Sequence, residues 1–282
     1  MRLKLKQHEA GFTLIEAVIV IAITGIVAAV VAVFIVKPVQ GYFDTVHRAE
    51  LSDTADAAVR RMGRDVQSAL ANSVRLDATG KFLEFVPIKT AGRYRADFGV
   101  GGAGDPLRFD VAADNTFDVL GPAVTVANGD SVVIYNLDQA QSNVYQGTNR
   151  RMAAAFGTVN TVTFTATASP FPMASPGSRF HIVGTAVSYV CQPNAVPANG
   201  FLLRYSGYAI QAAQPVATGT LDALAGVTKS ILATNVTTCD LTYSSGTLQS
   251  LGLVVVRLGI SNGAPILETV DVLHQINVNN TP

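Results

Sequence analysis

The chain has 282 residues, of which 49% are hydrophobic and only 14% charged, with 20 Lys and Arg balancing 20 Asp and Glu. A net charge of zero on so few charged residues argues against a nucleic-acid-binding surface, which needs a basic patch. Two cysteines are too few for a structural zinc site, and no histidine pair stands near them at ligand spacing.

The first element is a short basic leader, residues 1–11, carrying Arg2, Lys4 and Lys6 against Glu9. It ends at Gly11, where an apolar run begins at Phe12 and continues to Val36 with Glu16 as its sole ionisable side chain. At about 1.5 Å per residue a helix of this length crosses a hydrocarbon core of about 30 Å. Positive charge is retained on the cytoplasmic side, so the chain beyond Val36 faces outward, into a periplasm. A plain signal anchor accounts for the hydrophobicity and the lysines but not for Glu16. A carboxylate inside a membrane costs about 2.5–3.5 kcal/mol and calls for a partner. Gly25 weakens the helix by about 1 kcal/mol relative to alanine, and Pro38 is expected to bend it where it leaves the apolar run.

Residues 37–75 continue as an amphipathic helix, expected to reach about Ser73. Val39, Tyr42, Phe43, Val46, Ala55, Val59, Met62, Val66 and Leu70 fall on one stripe. The opposite face carries Arg48, Glu50, Asp53, Asp56, Arg60, Arg61, Arg64 and Asp65. The arginine cluster reads either as a solvated face or as a contact to acidic residues of an adjacent subunit.

Residues 76–282 form a β-rich periplasmic head. Strands are expected at 82–88, 131–135, 161–167, 179–191, 201–208, 251–260 and 266–278, in antiparallel sheet. The glycine- and aspartate-rich stretch 99–128 carries no clear element. One long helix on antiparallel sheet makes the fold class α+β. In an outward-facing domain the even cysteine count implies a Cys191–Cys239 disulfide, worth about 4 kcal/mol in the chain-entropy model.

Two motifs imitate enzymes. Gly99-Val100-Gly101-Gly102-Ala103-Gly104 fits a dinucleotide fingerprint, but Asp105-Pro106 follows, so no helix opens to receive a pyrophosphate. Gly259-Ile260-Ser261-Asn262-Gly263 fits a nucleophile elbow, with Asp271 and His274 in hydrolase order. Asn262-Gly263 instead marks a tight hairpin, with Pro265 opening the next strand. Alternation along that strand then puts Asp271 and His274 on opposite faces. Asp110, Asp114, Asn115 and Asp118 hold oxygens that calcium accepts but lack EF-hand spacing. His8, His47 and His181 make no metal spacing, and His181 reads as a hydrogen-bonded strand residue.

The string Gly11-Phe12-Thr13-Leu14-Ile15-Glu16, set between leader and apolar run, closely resembles the processing site of type IV pilins and of type II secretion pseudopilins. The resemblance implies a cut between Gly11 and Phe12 by a membrane-embedded prepilin peptidase, which also methylates the new Phe12 amine. It assigns Glu16 to docking against the N-terminal amine of a neighbouring subunit, and Gly25 to a region where the helix loosens in a filament. Main pilins often carry a proline inside the apolar run, whereas here Pro38 lies just beyond it. A disulfide toward the end of the head is common in the family. Further similarity is to minor pilins of the mannose-sensitive haemagglutinin (MSHA) pilus, at residues 38–43, 48–51, 72–75, 179–180, 187–191, 274–275 and 279–282. That places the chain beside J-type minor pseudopilins, whereas K-type tip pseudopilins usually lack the membrane glutamate. The implied role is non-enzymatic and needs no cofactor or metal. Its partners are the peptidase, major and other minor pilins, the inner-membrane assembly platform and lipid, with no nucleic acid. The alternatives are a secretion pseudopilin, separable by neighbouring genes, and a tip adhesin, separable by glycan or cell binding of the head.

Overall fold

The computed structural model describes residues 11–246, 251–263 and 268–281. The expectations for Arg2, Lys4, Lys6, His8 and Glu9, for Pro265 and for the first residues of the last strand run lie outside these. The chain divides into two units, Met1–Glu50 and Leu51–Pro282.

The first unit holds helix α1, Leu14–Val31, a π-helical turn, Ala32–Val36, and the start of helix α2, Lys37–Gln67. No residue of α1 is buried, and its apolar side chains point outward all round, the pattern of a helix made for an apolar surrounding. The disturbance expected at Pro38 takes the form of the π turn before it. Proline has no N–H for the Phe34 carbonyl and its ring crowds that carbonyl, and a widened turn absorbs both effects.

In the second unit the apolar stripe of α2 is buried at Ala55, Ala58, Val59, Met62, Gly63 and Val66. Beyond Gln67 the helix stops short of the expected Ser73. Ser68 and Ala69 donate their N–H groups to Asp65 and Val66 in a tightened last turn. The backbone is then claimed by the sheet, Leu70 N–H pairing with Val86 C=O and Ile88 N–H with Ser68 C=O. Asp65, expected on the solvated face, instead accepts bonds from Tyr189 Oη at 2.8 Å and Arg204 Nε at 2.7 Å.

Every strand pair is antiparallel, as expected. A five-stranded sheet runs in the order Arg75–Leu76, Phe82–Phe85, Ala186–Gln192, Phe201–Tyr208, Thr228–Thr234. A three-stranded sheet joins Val236–Ser244, Gly252–Ser261 and Thr269–Val278. These two sheets and α2 share one core, in which Met62, Val66, Leu83, Phe85, Tyr189, Val254, Val256 and Ile276 meet. A four-stranded sheet, Ile88–Arg93, Arg179–Val183, Ser131–Val133, Arg150–Met152, lies over a second, aromatic core of Tyr94, Phe117, Phe164, Phe171 and Phe180.

Two expected strands are each divided. Val86-Pro87 splits the first, because Pro87 has no N–H and Val86 donates its own to Ser73 Oγ. Gly184-Thr185 splits 179–191 and sends its halves to different sheets. The stretch 99–128 contains two short strands, Thr116–Asp118 and Val124–Val126, each paired in a two-stranded ribbon.

Glu84 is fully buried, and Arg75 reaches it through Nε at 2.7 Å and through Nη2 at 2.6 Å. Tyr208 Oη donates to the other carboxylate oxygen at 3.0 Å and lies 2.6 Å from Ser188 Oγ. Burial raises the Glu84 carboxyl above the ordinary carboxylate value, and Arg75 pulls the other way. The guanidinium also covers the Tyr145 ring, 3.6 Å from its centroid.

Cys191 and Cys239 are bonded, with Cα atoms 5.5 Å apart, and link the five-stranded to the three-stranded sheet. Replacing both by serine is expected to cost about 4 kcal/mol, which for a head of this size lowers the melting temperature by about 8–16 °C. Thermal unfolding of the two proteins measures it; equal melting temperatures would show that the bridge adds nothing.

His181 is a strand residue as expected, but its Nδ1 is buried without a hydrogen-bond partner among the described residues. Burial, assisted by the Arg179 charge, lowers its pKa to about 4 from 6.5. The fold therefore holds a neutral imidazole, and unfolding below pH 6.5 takes up a proton. Its contribution is complete above about pH 6.5 and is lost as pH falls toward 4, about 3 kcal/mol in all. Melting curves across this range should show a smaller acid loss for His181→Gln; an unchanged slope would refute the assignment.

Candidate functional site

The sequence at the start of α1 sets up a helix N-terminus of defined geometry. Thr13 is the cap, with φ −83° and ψ 151°, and its side-chain oxygen accepts the Glu16 N–H at 3.3 Å. Its carbonyl receives the Ala17 N–H at 3.2 Å. Gly11 and Phe12 therefore lie outside the helix, with peptide groups not committed to it. Both are exposed, Phe12 at 78%. An added Cβ on Gly11 would meet no atom within 4 Å, so nothing in the described fold requires glycine there.

Glu16 stands in the first turn of α1, exposed. A carboxylate there faces the positive end of the helix dipole. Its side chain has no bonded partner among the described residues, leaving it available to a group from outside. Gly25 lies within the unbroken span of α1, with nothing within 4 Å of an added Cβ. Pro38 is the second residue of α2. Gly11, Phe12 and Glu16 are thus gathered at one helix end, while Gly25 and Pro38 sit farther along the same helical run. Cys191 and Cys239 belong to the core of the head.

The sequence reading passed over Thr13. The signal was present: Thr13-x-x-Glu16 has the spacing of a capping box, which fixes the helix start just after Gly11 and Phe12.

The enzyme-like motifs come apart in the structure. Gly99 to Gly104 forms a 3-10 turn at Val100–Gly102, closed by Gly99 N–H on the Ala103 carbonyl at 2.7 Å. Leu107 then pairs with Arg95, and no helix follows. Ser261 ends a strand and is 2% exposed. Asp271 is paired opposite Gly259 and His274 opposite Val256. The odd spacing of Asp271 and His274 sends their side chains to opposite faces, and His274 Nε2 lies 3.4 Å from where a Cβ on Gly63 of α2 would stand.

The carboxylates near residue 110 are already occupied. Asp110 pairs with Arg108 at 3.1 Å. Asp114 accepts the Arg108 N–H at 2.7 Å, and Asp118 accepts from Asp105 N–H and Arg95 Nε. Among the described residues no group of three or more His, Cys, Asp or Glu is placed to hold a metal ion. Arg60, Arg61 and Arg64 are exposed, and Arg60 reaches Asp56 at 3.4 Å.

Residues 6–32 match the family model described as the prokaryotic N-terminal methylation motif. No curated protein and no solved structure matches the chain. The matched residues take in Gly11, Phe12, Glu16 and Gly25, and the motif together with the apolar helix supports membrane anchoring. The chain carries the N-terminal motif of type IV pilin-like proteins, a structural family of pilins and pseudopilins.

Proposed function

We propose that the chain is a minor pilin of an MSHA-type type IV pilus, which primes or caps pilus assembly. It is made as a precursor with its N-terminus in the cytoplasm, a single span in the inner membrane and its head in the periplasm. Prepilin peptidase cuts between Gly11 and Phe12 and methylates the Phe12 amine. The mature protein then joins other minor pilins and the major pilin at the inner-membrane platform and passes into the pilus. Glu16 and the apolar helix supply the docking, and the head supplies partner specificity.

The observation that carries this reading is the placement of an exposed Gly11–Phe12 bond just outside a Thr13-capped apolar helix with Glu16 in its first turn. The MSHA assignment is supported by the scattered sequence similarities at the helix exit and in the head. Because pilins and pseudopilins share the motif, the second reading is a minor pseudopilin of type II secretion.

Gly11→Val is expected to leave the precursor uncut, seen as an unshifted mass of the full chain recovered from membranes. Glu16→Ala removes a membrane carboxylate that costs about 3 kcal/mol to insert, so it should be inserted and cut normally yet fail to enter filaments. Normal filament incorporation of the Glu16→Ala protein would remove the docking role. Deletion of the gene, scored for surface pili and secreted protein in the same cultures, separates the two readings. Lost pili with normal secretion supports the pilus; lost secretion with intact pili moves the protein to the secretion machinery.

A further inference from the structure

Arg150 and Arg151 are consecutive on one strand of the four-stranded sheet, and neither has a carboxylate partner among the described residues. They resolve this differently. Arg151, on one face, is 6% exposed and gives its guanidinium to the carbonyls of Gly147, Thr148, Arg150, Ser169 and Pro170. Arg150, on the other face, is half-buried, and its guanidinium has no acceptor among the described residues. Burial alone lowers its pKa. Its nitrogen atoms keep contact with water, so the charge is open to an acceptor from outside.

The space for such a group is present. Arg150 lines a cavity of about 130 Å³ with Ser131, Thr185, Met152, Ala209 and Ile210. Ser131 pairs directly with Met152 and Val133 with Arg150, so Arg150, Met152 and Ser131 share one face of the sheet. The neighbouring charges leave the cavity positive. Asp130, next in chain to Ser131, is 2% exposed and already holds Lys89 Nζ at 2.5 Å and the Ala127 N–H at 2.8 Å. The Lys89 stem runs along the wall at Gly184, where a Cβ would stand 2.7 Å from Lys89 Cε. Among the described residues no carboxylate lines the cavity itself.

We propose that this cavity is a carboxylate-binding site. The Arg150 fork takes the two carboxylate oxygens, the geometry for which arginine is suited. Ser131 and Thr185 offer hydroxyl donors, and Met152, Ala209 and Ile210 cover the carbon next to the carboxylate. Sites for whole small molecules occupy about 300–1,000 Å³, so this one holds a head group alone. The carboxylate belongs either to a small free acid or to an Asp or Glu side chain presented by another subunit. This proposal stands independently of the pilin reading, since it uses only the head.

The test is thermal unfolding of the full chain in detergent, with sodium acetate replacing sodium chloride at constant ionic strength and pH. A blocked Ala-Asp-Ala peptide serves as the second probe. A specific carboxylate site should raise the melting temperature by about 2–4 °C when the probe is well above its dissociation constant. Arg150→Met should abolish that shift, and without probe it should be no less stable than the parent. Thr185→Val, a smaller change, should reduce the shift and serves if Arg150→Met does not fold. A peptide acting at lower concentration than acetate identifies a partner's side chain as the source, and the reverse order a small free acid. Absence of a shift with both probes, or an equal shift in Arg150→Met, would overturn the proposal.

Discussion

The head depends on the close packing of one helical stripe, Ala55 to Val66, against two sheets. The stripe is built from small and unbranched or β-branched side chains, and at Gly63 an added Cβ would stand 3.4 Å from His274 Nε2, so this sheet residue lies against the helix. Removing Met62, completely buried at the centre of this contact, would open a cavity of the kind that costs about 2–5 kcal/mol. Polar contacts then fix what packing alone leaves free to slide. Asp65 binds Tyr189 and Arg204 from the five-stranded sheet, and the disulfide fastens that sheet to the three-stranded one. Charge-assisted bonds of this type are shorter and stronger than neutral ones, and they admit one register only.

The first unit obeys the opposite rule. Its helix is apolar on all sides and buries nothing within the chain, so its stability comes from satisfying backbone hydrogen bonds internally. That is the condition for a segment surrounded by hydrocarbon. Only Glu16 departs from it. The same helical run thus answers to lipid in its first part and to a protein core in its last, with the π turn before Pro38 between Val31 and Lys37.

Much of this was legible in the chain. The stripe of Ala55, Val59, Met62 and Val66 was readable because helical spacing persists over several turns. The Phe201–Tyr208 strand and the last two strands were readable because their apolar residues recur at strand spacing. The pair Thr228–Thr234 and Val236–Ser244 was not recognised: threonines and serines interrupt its apolar residues, so no apolar run stands out until a neighbouring sheet completes the pairing. The end of α2 was misplaced because nothing local stops a helix at Gln67. It ends where Val86 and Ile88, distant in sequence, offer backbone partners to Leu70 and Ser68. The unpartnered Nδ1 of His181 and the unmatched charge of Arg150 are likewise tertiary facts, invisible to any pattern along the chain. At the N-terminus the reverse held, since every residue of the site lies within a few positions of Gly11 and the geometry is local.

The Thr13 cap has a consequence for a chain cut after Gly11. The new terminus would stand a single residue ahead of the cap, so a positively charged amine would be set at the positive pole of the helix dipole. Methylation leaves that charge in place. Two like poles meeting at one point oppose each other by about 0.3–1 kcal/mol in water, and by more where water is absent. The cut would thereby turn a neutral stretch of backbone into a cationic tip whose own helix repels it. The Glu16 carboxylate of a second copy would relieve both the amine and the dipole at once. Processing and assembly would then be linked by electrostatics, the severed bond creating a charge that a neighbour's acid would satisfy.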